Sequence, residues 1–206
     1  MIDKERILNG SEVLFLERGI KSITMDDIAR HMGISKKTIY QHFRDKNELV
    51  TALVSKRLAD DETMLCAIIS DAGNMIDEMV ELTRCTGEIF SRVNPVVLHD
   101  LQKYHHEGWE LYLQFKTGFL VNIIEKLLKK GIDQGYVRPE IDARIVAIMR
   151  VNQIELGFNA SIYPHSEFNL WDVQLQLLNH FNYGVCTLKG ISVLNTADRA
   201  ATVDGL

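Results

Sequence analysis

Apolar residues recur along this chain at three- and four-residue intervals and almost nowhere in strict alternation. That pattern predicts helices throughout and no sheet. In residues 3–18, Ile7, Ser11, Leu14 and Arg18 share one stripe, with Leu8 and Phe15 beside it. Gly19 ends this helix. Gly10 lies inside it at a cost of about 1 kcal/mol relative to Ala, unless a second helix needs to come close there. Thr24 is a good N-cap for "TMDDIARHM", and Asp26 and Asp27 fall in the first turn, where the helix dipole favours acids. Ile28, Ala29 and Met32 form its buried side. Gly33 stops that helix and Ser35 caps the next.

Residues 24–43 therefore predict two short helices joined by a tight turn, the layout of a helix-turn-helix. In the second helix Ile39 and Phe43 are four apart and face inward. Lys36, Lys37, Tyr40 and Gln41 occupy another face, with Thr38, His42 and Lys46 along its flanks. That face carries long donors and an amphipathic ring, and nothing that needs burial. Such a surface suits a DNA groove, with central side chains at base edges and flanking donors at phosphates.

Further along, a long helix is expected from residue 46 to about 69. Gly73-Asn74 breaks the pattern, and a helix follows to about Val93. Asn94-Pro95 marks a boundary, and a short helix runs to Tyr104. One unbroken helix is then expected as far as Gly135, followed by helices over about 142–162 and 169–189. The tail 190–206 reads as short, rich in small residues and peripheral.

Composition alters this picture at two points. The chain has 206 residues, 46% of them hydrophobic, enough for a substantial core. Its net charge is -5, which taken whole argues against nucleic acid. The window 30–46, however, holds five basic residues against Asp45 alone. A local basic patch on an acidic protein focuses a polyanion on one end. No apolar run is long enough to cross a membrane, and the first residues are charged rather than signal-like. Cys66, Cys85 and Cys186 are far apart and unpatterned, which fits a reducing cytoplasm.

The stretch "RILNGSEVLFLERGIKSITMDDIARHMGISKKTIYQHFRDKNELV" resembles the N-terminal DNA-binding domain of the TetR family of bacterial regulators. The resemblance runs through the Arg-Gly turn, "T-x-x-x-I-A", "G-I-S", "T-I-Y-x-H-F" and "K-x-E-L". It implies that Thr24, Thr38, Tyr40, His42 and Lys46 contact the phosphate backbone, and that Lys36, Lys37 and Gln41 read bases. The departure is "NGS" at 9–11, where an Ala-rich pair is usual; it bears on packing.

The expected protein is all-α. Residues 1–46 form a three-helix DNA-binding domain, and residues 47–206 a helical regulatory and dimerisation domain. Its expected partners are double-stranded DNA with a palindromic operator, a second copy of itself, and an unidentified small-molecule inducer. The expected function is a repressor that the inducer releases. The competing readings are an architectural DNA binder without an inducer, and an enzyme on the same fold. No G-x-S-x-G, HExxH or P-loop supports the latter.

For the inducer site, Phe90, Tyr104, Trp109, Phe115 and Phe119 are candidate walls, and Arg150, Asn152 and Gln153 candidate polar contacts. Aromatics at helical spacing also build plain core, and polar side chains on such a helix also face solvent or a partner. The overall acidity favours a neutral or cationic, largely apolar ligand, with Arg150 offering a carboxylate an alternative hold. No cofactor is called for. His99, Asp100, His105, His106, Glu107 and Glu110 lack the HxxxH spacing of a zinc site, so solvated histidines are expected.

Overall fold

The computed structural model describes residues 3–71, 74–90 and 94–203. Its helices are α1 Lys4–Arg18, α2 Met25–Met32, α3 Lys36–Tyr40, α4 Lys46–Asp71, α5 Met75–Phe90, α6 Val96–Tyr104, α7 His106–Gln114, α8 Val121–Asp133, α9 Ala143–Gly157, α10 Leu170–Val185 and α11 Leu188–Val203. A π-helical segment, Phe115–Leu120, joins α7 to α8. The described residues form no strand, only a single antiparallel bridge between Val137 and Cys186. The all-α expectation holds.

By packing, the chain sorts into two units. The first is Met1–Asp61 with Arg92–Phe115, and the second is Glu62–Ser91 with Lys116–Leu206. The first unit is thus larger than the three-helix head of residues 1–46, because it takes in the start of α4 together with α6 and α7.

In the first unit α1 starts at Asp3, whose side chain accepts the Arg6 N–H at 2.8 Å. It buries Ile7, Leu8, Ser11, Leu14 and Phe15. Ser11 is tolerated at full burial because its hydroxyl donates to the Ile7 carbonyl. A Cβ on Gly10 would lie 2.9 Å from Sδ of Met32, so the glycine inside α1 lets α2 approach. Thr24 and Asp27 form a reciprocal capping box at the start of α2. Gly33, at φ 65, ends α2 in the left-handed conformation that a Cβ disfavours. Ser35 accepts the Thr38 N–H and opens α3. The core then closes over Ile28, Ile39, Phe43, Leu49, Leu101 and Trp109. Burying each such side chain contributes about 1.5–3 kcal/mol.

The second unit packs Met75, Ile76, Val121, Leu128, Val137, Ala147, Val151, Phe181 and Val185 together. Two expectations fail here. The helix expected to run unbroken to Gly135 is interrupted by the π-helical segment, an irregularity that hydrophobic spacing does not register. The tail expected to be peripheral folds into α11, with Leu194 buried and contacts to α5. Thr187 separates α10 from α11: its N–H donates to the Tyr136 carbonyl and its Oγ1 accepts the Gly190 N–H.

Candidate nucleic-acid interface

Burial of Ile39 and Phe43 fixes how α3 is turned. Lys36, Lys37, Tyr40 and Gln41 are all exposed as a result. Lys37 and Gln41 have no side-chain partner among the described residues, so their polar ends are unspent. Nζ of Lys36 lies 2.8 Å from the Asp26 carboxylate and 6.0 Å from the Tyr40 ring centroid. That ion pair is exposed on both sides, hence weak and screened by salt, and a phosphate or base edge can compete for the lysine. The hydrogen bond to Asp26 raises the Lys36 pKa, so the side chain enters any contact charged.

The flanking positions differ among themselves. Thr24 is exposed, but its hydroxyl donates to the Asp27 carboxylate at 2.6 Å, which lowers the Asp27 pKa. Thr38 Oγ1 lies 2.8 Å from Ser35 Oγ. His42 is half-buried. Lys46 departs furthest from a phosphate contact: its Nζ donates to the Ile20 carbonyl at 2.6 Å, lies 3.5 Å from the Lys21 carbonyl, and sits 5.9 Å from the Phe15 ring. Burial lowers its pKa. Here Lys46 acts as a fastener that holds the segment after α1. Helix α3 is also shorter than expected, ending at Tyr40, with Gln41 as its C-cap.

The same segment is gripped from α6. Asp100 Oδ2 accepts the Lys21 N–H at 2.8 Å. Asn94 donates its backbone N–H to the Leu16 carbonyl and its side-chain amide to that of Glu17. His105 Nδ1 is 2.6 Å from Oδ1 of Asn47, at the start of α4. Burial, and then the charge of Lys46, lower the His105 pKa, against a smaller opposing pull from Asp100. Sequence reasoning did not single out Asn47, and it placed Asp100 and His105 in a group whose histidines were expected to be solvated. Only the burial of Asp100 and His105 distinguishes them.

The expected inducer residues do not form one cluster. Tyr104, Trp109 and Phe115 belong to the first unit. Tyr104 is exposed, and Trp109 is core, 5.1 Å from the Tyr112 ring. The Phe90 side chain lies outside the described residues. Asn152 is exposed and turned back to the Ile148 carbonyl at 2.8 Å. Phe119 lines a largely apolar cleft of about 330 Å³ in the second unit, together with Cys66, Ile69, Asn122, Ile123 and Lys126, none of which was singled out as lining a site. Arg150 and Gln153 lie on α9 and do not line that cleft; the Arg150 Nη1 and Gln153 Oε1 are buried and have no hydrogen-bond partner among the described residues.

The profile of bacterial regulatory proteins of the tetR family matches residues 7–53, the stretch that carries the helix-turn-helix. Residues 7–53 thus match the DNA-binding domain of the TetR family. The chain is 28% identical over 106 residues to the uncharacterized HTH-type transcriptional regulator YvaF of Bacillus subtilis, covering 51% of this chain and 55% of that protein. It is 24% identical over 143 residues to the HTH-type transcriptional repressor KstR2 of Mycobacterium tuberculosis, covering 68% and 72%. The chain thus spans about half the length of the first relative and under three quarters of the second. Among solved structures, FadR of Bacillus subtilis in complex with stearoyl-CoA superposes with a TM-score of 0.64 at 15% identity, covering 88% of this chain and 99% of that one. At that identity the likeness concerns the fold. Among the described residues no helix is long and apolar enough to cross a membrane.

Proposed function

We propose that this chain is a ligand-responsive, sequence-specific transcription regulator of the TetR family, a cytoplasmic repressor that a small molecule releases from a palindromic operator. The observation that carries the reading is the exposed face of α3, where Lys37, Tyr40 and Gln41 stand clear of the core that Ile39 and Phe43 anchor. Residues 1–46 read the DNA. Lys36, Lys37 and Gln41 take base edges, and Thr24, Thr38, Tyr40 and His42 take phosphates. Lys46 supports them by fixing the segment before α2. Residues 47–206 bind the effector and a second copy of the chain.

Dimerisation is supported by α9, where Ile145, Ile148, Met149 and Leu156 are exposed at helical spacing. Two half-sites on one operator require two heads. On α10, Leu170 and Phe181 are buried in the second unit, and Trp171, Leu175 and Leu178 are half-buried. The interface is therefore centred on α9.

An effector that binds better to a form with misplaced heads weakens operator binding by the same coupling, typically about 1–3 kcal/mol. Relatives named as repressors, and a fold neighbour solved with stearoyl-CoA, support this reading. The test is fluorescence anisotropy on DNA from the region upstream of the chain's own gene. Tight binding that falls steeply with salt and prefers one site at least about a thousandfold over random DNA is expected. Equal affinity for all sequences would overturn it.

A further inference from the structure

Arg150 sits in the middle of α9 with only 7% of its surface exposed. Among the described residues its guanidinium has no hydrogen-bond acceptor and no carboxylate within ion-pair distance, and its Nη1 is fully enclosed. Its central carbon lies 5.7 Å from the centroid of the Phe181 ring, a core side chain that packs with Ala147 and Val151. A guanidinium at this depth is costly unless something satisfies it. Burial brings its pKa down to about 10, so at neutral pH it still carries its charge. Helices α9 and α10 also hold the enclosed Oε1 of Gln153, Oε1 of Gln174 and Oδ1 of Asn182, which have no hydrogen-bond partner among the described residues.

Three other cations of this unit that lie on or against its helices are paired. Lys116 pairs with Glu155, Lys130 with Glu78, and Arg144 with Glu125 and Asn122. Arg150 differs from them in having its donors unspent. The planar guanidinium fork matches a carboxylate or a phosphate oxygen pair equally well. One enclosed, unpaired guanidinium neutralises one negative charge rather than two, which favours the carboxylate.

We propose that Arg150 is the anion-binding residue of the effector site, and that the effector is an amphipathic organic acid, its carboxylate on the guanidinium and its apolar body against the Phe181 wall. This rests on the reading of residues 47–206 as effector-responsive. It reverses the preference drawn from net charge: the local charge at the point of contact outweighs a distant acidic surface.

The experiment uses the full chain. Acetate, benzoate and decanoate are each paired with the neutral amide of the same skeleton. Calorimetry measures binding, and anisotropy measures operator release. In the wild type at least one acid binds about tenfold or more tightly than its amide, the difference expected for hydrogen bonds to a charged group. In Arg150→Met that preference disappears, amide binding is retained, and the ligand-free variant melts higher because an unpaired buried charge has been removed. Arg150→Lys keeps a reduced preference.

Equal binding of acids and amides by the wild type overturns the anion assignment. If the amides then release the operator, the effector reading survives; if nothing in the panel binds or releases it, the assignment and the effector reading fail together for this class of compounds. A lower melting temperature for Arg150→Met with the acid preference intact makes Arg150 a structural residue. Dissociation of that variant into monomers shows instead that a carboxylate from the second copy is its partner. Either result removes the proposal.

Discussion

The carboxylate of Asp100 accepts the backbone N–H of Lys21 at 2.8 Å, although 79 positions separate them in sequence. Asp100 is 6% exposed, and Lys21 lies in the short segment between α1 and α2. Lys46 holds the same segment through the Ile20 carbonyl. The entry to α2 and α3 is thus gripped from α6 and from the start of α4. Replacing Asp100 with Ala should cost the first unit about 1.5–3 kcal/mol, the range for a hydrogen bond to a charged acceptor. Urea denaturation gives the cost. In the same variant the operator response to an effector should weaken, and an unaltered response would show that α6 has no part in it.

Contacts of α3 should divide into two kinds. Lys37→Ala and Gln41→Ala are expected to change which bases are preferred, at about 1–3 kcal/mol per lost base contact. Tyr40→Ala should lower affinity for all sequences alike. Binding-site selection on random DNA separates the two patterns, and identical base preferences in all three variants would refute the assignment of faces.

Lys46→Met is expected to act differently from all of these. Its ammonium serves backbone carbonyls within the fold, so its loss should lower the melting temperature before any effect on DNA is counted. Normal stability with a reduced salt slope would return Lys46 to the phosphate contacts.

His105 makes the first unit sensitive to acid. Burial and the charge of Lys46 hold its pKa below the ordinary 6.5. Between that lowered value and 6.5 the unfolded chain binds more protons than the folded one, so stability rises with pH across this window. The contribution is complete above about 6.5 and is lost as pH falls. His105→Gln should flatten this part of the melting temperature against pH relative to wild type. Parallel curves for the two proteins would mean that other groups carry the acid loss.

Gly190 lets α11 dock. A Cβ there would lie 2.3 Å from the backbone oxygen of Tyr136, which cannot swing aside as a side-chain tip can. Gly190→Ala should therefore loosen α11 and cost about 1–3 kcal/mol, as overpacking does. Hydrogen exchange over 188–196 would rise first; unchanged protection there would contradict the close approach.

On α9, Ile148→Asp places a charge in the middle of the exposed apolar face. Sedimentation at micromolar concentration should find monomers, with operator affinity greatly reduced because two half-sites no longer act together. A dimer that survives the change would move the interface elsewhere.

Sequence by itself determined the helical class, most helix ends and the helix-turn-helix, because caps, glycine stops and apolar spacing are local. Thr24, Gly33 and Ser35 act through atoms within a few residues of themselves. The outward face of α3 was legible for the same reason, since burying Ile39 and Phe43 leaves Lys37, Tyr40 and Gln41 nowhere else to point. Tertiary structure alone decided which polar residues are enclosed and what meets them. Nothing local marks Asp100 as the acceptor for Lys21, Lys46 as a fastener, or Arg150 as a cation with its donors unspent. The tail and the π-helical turn belong to the same class. Gly190 can sit against Tyr136 only after α8 and α10 have brought the Tyr136 turn to it, and hydrophobic spacing does not register the extra residue that widens a helical turn at Phe115–Leu120.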